Sequence, residues 1–296
     1  MSSRQLHQRF LKLPLFDDLY LRMQALNIAI SDQALRGCEH ALLREYLEQD
    51  STPMESAAFV SAFSQLWLFG LYELLRTWRD RANEILEFVE KTKDLSQQDK
   101  DAKQAEKRKQ LELRTGDEQE AEMRWKPFRK ATTDPEFPPA IARALDCSEA
   151  LWRRLEALRV NIAKHEVPRS KGGLAMSPGY GRIDESTGSI YWQIDLGDKE
   201  VDIVSRQRIA ELLLRDLSSR CRRPFLPRAV RPKLQKIERF AYGTRQCTVI
   251  LDDNSRYDVV VRWNEIVFAR DRQNLPLDPA RIVNVVPCVG WKLSPE

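Results

Sequence analysis

Apolar positions follow two spacings along this chain: helical up to about residue 165, and alternating from about residue 190. Between Leu19 and Leu47 they recur every three or four residues. This predicts two helices, Leu19–Ile30 and Asp32–Leu47, the second opened by Ser31–Asp32. The stretch "STPMES" marks a sharper start, with Thr52 as N-cap, Pro53 in the first helical position and Glu55 completing a capping box. From there the pattern runs to about Lys93 with only Gly70 inside it, and Ala57–Leu75 is apolar on most sides. A helix of that kind is surrounded by other helices. Ser61, Ser64, Gln65 and Glu73 interrupt the run, so it reads as a core helix and not as a membrane span.

Residues 91–124 are dominated by charges of both signs. Such a segment is a protruding helical hairpin, a solvated helix extension or a flexible insert. Pro138–Pro139 then open one long helix whose apolar face is Ile141, Leu145, Leu151, Leu155, Leu158 and Ile162. Pro168 forces Val167 out of helical torsions and ends it near His165–Glu166.

Alternation takes over in "GSIYWQIDLGD", where Ile190, Trp192, Ile194 and Leu196 share one strand face between turn signals. Tyr191, on the other face, is a candidate for stacking on a base. Ser205 can cap a helix through "SRQRIAELLLRDLSSRCRR". Beyond the proline-punctuated "RPFLPRAVRP" come β segments: "RQCTVIL", the turn "DDNS", "RYDVVVRW", "IVFAR" and "ARIVNVV". "DDNS" lacks calcium-ligand spacing. The predicted fold class is mainly α. A helical bundle over residues 1–222 carries a charged helical insertion at 91–124 and a β-hairpin insertion at 180–203, and residues 237–296 form a small antiparallel β domain.

The 296 residues are enough for a real core. Cys38, Cys147, Cys221, Cys247 and Cys288 are scattered without a C-x-x-C pair, so neither a zinc site nor a disulfide framework is implied. Free thiols in a reducing cytoplasm are the expectation, and the charged N-terminus has no apolar export core. Net charge is +4 but uneven: Ser205–Arg245 holds twelve Arg and Lys against three acids, or +9. Arginine forks suit phosphate, which makes Arg222, Arg223, Arg228 and Arg231 candidate RNA contacts. A solvated helix and loop with counter-charges folded nearby would look the same.

The chemistry-bearing stretch is "RVNIAKH", residues 159–165, at the end of the long helix. Arg159 and His165 are 120° apart around a regular helix, and unwinding before Pro168 can bring them together. A histidine that titrates near neutral pH, beside a fixed cation, suits RNA cleavage by its own 2′-hydroxyl. That reaction needs a base, an acid and a cation for the phosphorane, with no metal and no cofactor. Glu73 and Arg76, three apart on the central helix, read as a structural ion pair or as a pair orienting a catalytic group.

A helical bundle with R-x(4–6)-H late in a core helix resembles the HEPN superfamily, whose members include ribonucleases of toxin–antitoxin and anti-phage systems. The resemblance covers about Leu19 to His165, with the helix after Ser205, and excludes the β tail. It implies a metal-independent endoribonuclease acting as a homodimer. Arg159 would stabilise the scissile phosphate, His165 would act as acid or base, and two such pairs would share a cleft. It also implies RNA as partner, a protein partner such as an antitoxin, and no membrane. Many members place a polar residue directly after the arginine; here Val160 stands there and Asn161 follows, which makes Asn161 the third candidate catalytic residue. The rival readings are a non-catalytic HEPN-like dimeric module binding RNA or a protein and, with less support, a DNA-binding regulator. Without chemistry, Arg159 would pair with Glu156 or Glu166 while His165 caps carbonyls.

Overall fold

The computed structural model describes residues 3–49, 51–164, 181–197, 200–216, 226, 230–237, 244–262, 265–269 and 281–288. Among these residues the fold is mainly helical with two small sheets, as the periodicities predict. It divides into two compact units. The first is Met1–Glu166, Ser177–Ile194 and Ile203–Ser219; the second is Val167–Met176, Asp195–Asp202 and Arg220–Glu296.

In the first unit, α1 (Ser3–Phe10) packs on α2 (Leu19–Gln49), and α2 packs along α3 (Met54–Thr92). The sequence divides α2 at Ser31–Asp32, but the helix is continuous. Ser31 Oγ turns back to donate to the Asn27 carbonyl, and Asp32 points into the interior instead of capping. At the start of α3 the capping box does not form: Pro53 occupies the N-cap position without a side-chain bond, and Glu55 only adds charge to the first turn. Trp67 Nε1 donates to the Ile28 carbonyl at 2.9 Å, and a Cβ on Gly70 would lie 3.2 Å from Ile28 Cδ1. The glycine therefore lets the two helices approach closely.

α3 is the hub of this unit, touching α2 and four later helices. It is the described helix long and apolar enough to cross a membrane, yet 44% of its most apolar window is packed inside the fold. The charged segment becomes a helical hairpin, α4 (Gln97–Thr115) and α5 (Glu118–Thr133). Gly116 in left-handed conformation ends α4, and Asp117 caps α5 by accepting from Gln119 N. The hairpin is anchored and not simply solvated, since Trp125 and Phe128 meet Phe88 of α3 edge-on. Lys107 also reaches Glu84 at 2.6 Å.

The predicted single helix from Pro138 is two helices, α6 (Phe137–Cys147) and α7 (Glu149–Lys164). The break is at buried Ser148, whose Oγ donates to the Leu145 carbonyl and accepts from Arg79 Nη1 at 3.0 Å. Arg79 Nη2 holds Glu149, the first residue of α7, at 2.7 Å. Cys147 is disulfide-bonded, contrary to the expectation of five free thiols, whereas Cys38, Cys247 and Cys288 remain thiols.

β1 (Arg182–Ile183), β2 (Ile190–Gly197) and β3 (Glu200–Ser205) form a three-stranded sheet in that order, and Ile190, Trp192 and Ile194 are buried on one face as their alternation predicts. The β1–β2 turn lies against α2 through Gly188, with φ +73°, where a Cβ would fall 2.1 Å from the Glu39 carbonyl oxygen. Helix α8 (Arg206–Asp216) follows, with Ser205 Oγ accepting from Arg208 N as its cap.

The second unit contains α9 (Arg231–Gln235) and an antiparallel sheet of β4 (Thr244–Leu251), β5 (Arg256–Arg262), β6 (Glu265–Ala269) and β7 (Ile282–Pro287), in the order β6-β5-β4-β7. Its core joins Val230 and Leu234 to Cys247, Val249, Val259 and Val285. "DDNS" is a turn with Asn254 at φ 65°, and Arg281 bridges Asp252 and Asp253.

Candidate functional site

Tyr72 and Arg79 lie two turns apart on α3, and Trp152 and Arg159 lie two turns apart on α7. The two helices run antiparallel, so these four side chains interleave into one ladder. Arg79 Cζ lies 5.0 Å from the Trp152 ring centroid, and Trp152 stacks on Tyr72 at 4.9 Å and 17°. Arg159 Cζ lies 4.9 Å from the Tyr72 ring centroid. An aromatic face attracts a guanidinium through its quadrupole and leaves the guanidinium's edge free to donate hydrogen bonds.

The two cations at the ends of the ladder differ in their partners. Arg79 is largely buried and engaged by Glu149, Ser148 and the Leu145 carbonyl, so its role is to fix the α6–α7 break. Arg159 is exposed and has no carboxylate partner among the described residues. In particular, it makes no pair with Glu156. A positive charge that is held in place, hydrated and uncompensated can accept an anion at little desolvation cost.

His165 lies outside the described residues, which reach Lys164. Asn161 is not beside Arg159. Two residues on, it is rotated 200° around α7 and is 2% exposed, with its Nδ2 lacking a partner among the described residues. It belongs to the interior of the bundle, so it does not join Arg159 in a common exposed site. Glu73 and Arg76 form the expected ion pair at 2.7 Å on the surface of α3. Trp192 is fully buried and Tyr191 half-buried.

At least one cation of the basic window is not at the surface. Arg206, which contributes to its +9, is fully buried. Its Nε donates to Glu39 Oε1 at 2.9 Å, a second bond joins its Nη2 to the other Glu39 oxygen, and its Nη1 meets Asp32. Burial pulls this guanidinium down, but the Glu39 and Asp32 carboxylates more than offset it and hold its pKa above the ordinary value. Asp32 also pairs with Arg36 at 3.0 Å, so the cluster is two cations against two anions. Nothing in a one-dimensional charge count separates Arg206 from its neighbours, because its partners lie on α2. Arg222, Arg223 and Arg228 lie outside the described residues, and Arg231 opens α9 with its side chain outside them. Arg245 Nε donates to the Ile237 carbonyl, and Lys233 Nζ donates to Asn284.

Sequence reasoning missed the ladder and the buried cluster. The 72/79 and 152/159 spacings, seven residues each, were the available signal. Among the described residues no group of three or more His, Cys, Asp or Glu is placed to hold a metal. Comparison with family models, with curated proteins and with solved structures gives no match.

Proposed function

We propose that this chain is a metal-independent endoribonuclease of the HEPN type, with Arg159 as the phosphate-binding cation and His165 as acid or base. The observation that carries the reading is Arg159 itself: an exposed guanidinium without a carboxylate partner among the described residues, seated on Tyr72 in the penultimate turn of α7. A merely structural arginine in so charged a chain would be expected to find an acid. His165 follows six residues later, immediately past the described end of α7.

In the step proposed, a base removes the proton of an RNA 2′-hydroxyl, and the resulting oxygen attacks the adjacent phosphorus. The bond from phosphorus to the 5′-oxygen breaks, and that oxygen takes up a proton. The products are a 2′,3′-cyclic phosphate and a 5′-hydroxyl. Arg159 would stabilise the extra negative charge of the phosphorane, and His165 would transfer one of the two protons. We place the reaction in the cytoplasm, in a setting of anti-phage defence or toxin–antitoxin control, and the protein as a homodimer.

The burial of Asn161 favours a second reading. With one polar group fewer at the exposed site, the same ladder would serve a non-catalytic dimeric module that binds RNA or a protein partner. The test is RNA cleavage in EDTA by the wild type, Arg159→Ala and His165→Ala, each checked for folding by circular dichroism. Cyclic phosphate ends from the wild type, lost in both variants, support the ribonuclease. Binding without cleavage, weakened by Arg159→Ala alone, supports the module. Cleavage that neither variant reduces overturns both.

A further inference from the structure

We infer that the outer face of the α2–α3 pair is the surface through which two copies of this chain associate. Along α2 the outward positions are Met23, Asn27, Ile30, Ala34, Gly37 and Ala41, all exposed, and their steps alternate between four and three. That is the heptad seam of a helix packed on another helix, here turned away from the protein's own core. α3 adds Phe59, Ala62, Phe63, Leu66 and Gly70 to the exposed side. Phe59 and Phe63 lie ring against ring at 4.4 Å, an aromatic anchor already assembled.

Charge is missing from this face. In a chain that is 31% charged, residues 56–72 contain no charged side chain at all. Within residues 23–41 the charged residues are Asp32, Arg36 and Glu39, and these turn inward to the Arg206 cluster. Depletion of charge from an apolar centre is the compositional mark of an interface core.

The area fits one occupant. Met23, Ile30, Phe59, Phe63 and Leu66 expose 49, 55, 49, 45 and 64% of their surface. At about 200 Å² per large side chain they expose roughly 500 Å², and the small residues between them bring the face to about 800 Å². That is the area each partner contributes to a stable complex, and it exceeds what isolated monomers commonly leave bare. An antiparallel helix pair with a heptad seam is complementary to another such pair. A second copy of this face supplies one, closing a four-helix layer about a two-fold axis. A lipid surface would call for a basic rim, whereas the exposed charges flanking the face are Arg22, Arg44, Glu48, Glu55 and Glu73, of both signs.

Phe63 and Tyr72 are nine residues apart, hence on opposite sides of α3. The pairing therefore leaves each Arg159 on its own flank and does not build the shared cleft that the HEPN resemblance implies. It stands apart from the proposed chemistry and is tested apart from it.

The experiment is sedimentation velocity on the full chain, comparing wild type with Leu66→Glu, Gly37→Gln and Arg159→Ala. A Cβ at Gly37 meets nothing within 4 Å, so Gly37→Gln leaves the protomer's packing intact while blocking a close helix approach. The wild type is expected at twice 34.5 kDa. Both face variants are expected at the single mass, with unchanged circular dichroism and association weakened at least tenfold, while Arg159→Ala remains dimeric. A monomeric wild type, a dimer indifferent to both face variants, or a dimer broken by Arg159→Ala would overturn the inference. So would a monomeric wild type that partitions onto phosphatidylcholine–phosphatidylglycerol vesicles through Leu66. Loss of RNA cleavage in an intact dimer would bear only on the ribonuclease reading.

Discussion

Glu39 and Arg206 lie 167 positions apart and share two N–H···O bonds in the interior of the helical unit. The arrangement ties α8 to α2 and explains why α2 runs unbroken through Asp32. Removing one member strands the other's charge away from water, which is where buried pairs express their energy. Glu39→Ala is expected to lower unfolding stability by about 3–5 kcal/mol, read as a shift in urea midpoint at unchanged slope. A loss below about 1 kcal/mol would mean that Asp32 alone satisfies the guanidinium.

Gly188 presses on the same residue from the backbone side. Its φ of +73° disfavours any side chain, and a Cβ there would collide with the Glu39 carbonyl oxygen. Gly188→Ala should cost about 1–3 kcal/mol from the torsion alone, and more from the clash. Combined with Glu39→Ala it should be clearly non-additive, since both perturb one turn of α2. Additive free energies in a double-mutant cycle would show that the two contacts are independent.

These two relationships also mark where the sequence was legible. Strand faces, the Ser205 cap and the placement of helices were readable because they depend on neighbours within a few positions. Ile190, Trp192 and Ile194 declare their burial by alternation alone. The errors came where a distant partner overrides the local signal. Ser31–Asp32 looks like a helix start until Arg206 claims Asp32, and "ALDCSEALW" looks continuous until Arg79 claims Ser148 and Glu149. Of the candidate site, the sequence singles out Arg159 by its spacing to His165 and nothing more. Its seat on Tyr72 needs the packing of α3 on α7, and Asn161's inward direction needs the phase of α7 around its axis.

Arg159 should contribute little to folding, because an exposed cation–π contact is worth about 0.5–1 kcal/mol. Arg159→Ala is therefore expected to melt within a few degrees of the wild type. Under the proposed RNA-cleaving role its effect on RNA should be larger: binding weakened about tenfold, with the salt dependence of affinity reduced by about one counterion. Arg159→Lys should recover the salt dependence but not the full affinity, since an ammonium cannot lie flat on Tyr72 and donate from its edge. An unchanged salt slope in Arg159→Ala would remove phosphate contact from the roles open to this residue.

The thiols offer the last test. Burial, with smaller contributions from Cys288 and Asp258, pushes the Cys247 thiol up to about 12, against an ordinary 9.0. The folded protein thus holds its proton more tightly than the unfolded chain does. The sign follows: Cys247 causes no pH-dependent loss below about 9, and stability falls as pH rises from there towards 12, where the folded thiol itself ionises. Only the thiolate is alkylated, so at pH 8 iodoacetamide should label half-buried Cys38 in the native protein and spare Cys247. Half-buried Cys288 should be labelled along with Cys38, and unfolding in urea without reductant should expose Cys247 as well, whereas Cys147 should be labelled only after reduction. Peptide mass mapping separates these stages. Labelling of Cys247 in the native state at the rate of Cys38 would mean that β4 opens readily. Labelling of Cys147 without reductant would return it to the free thiol that its sequence context predicts.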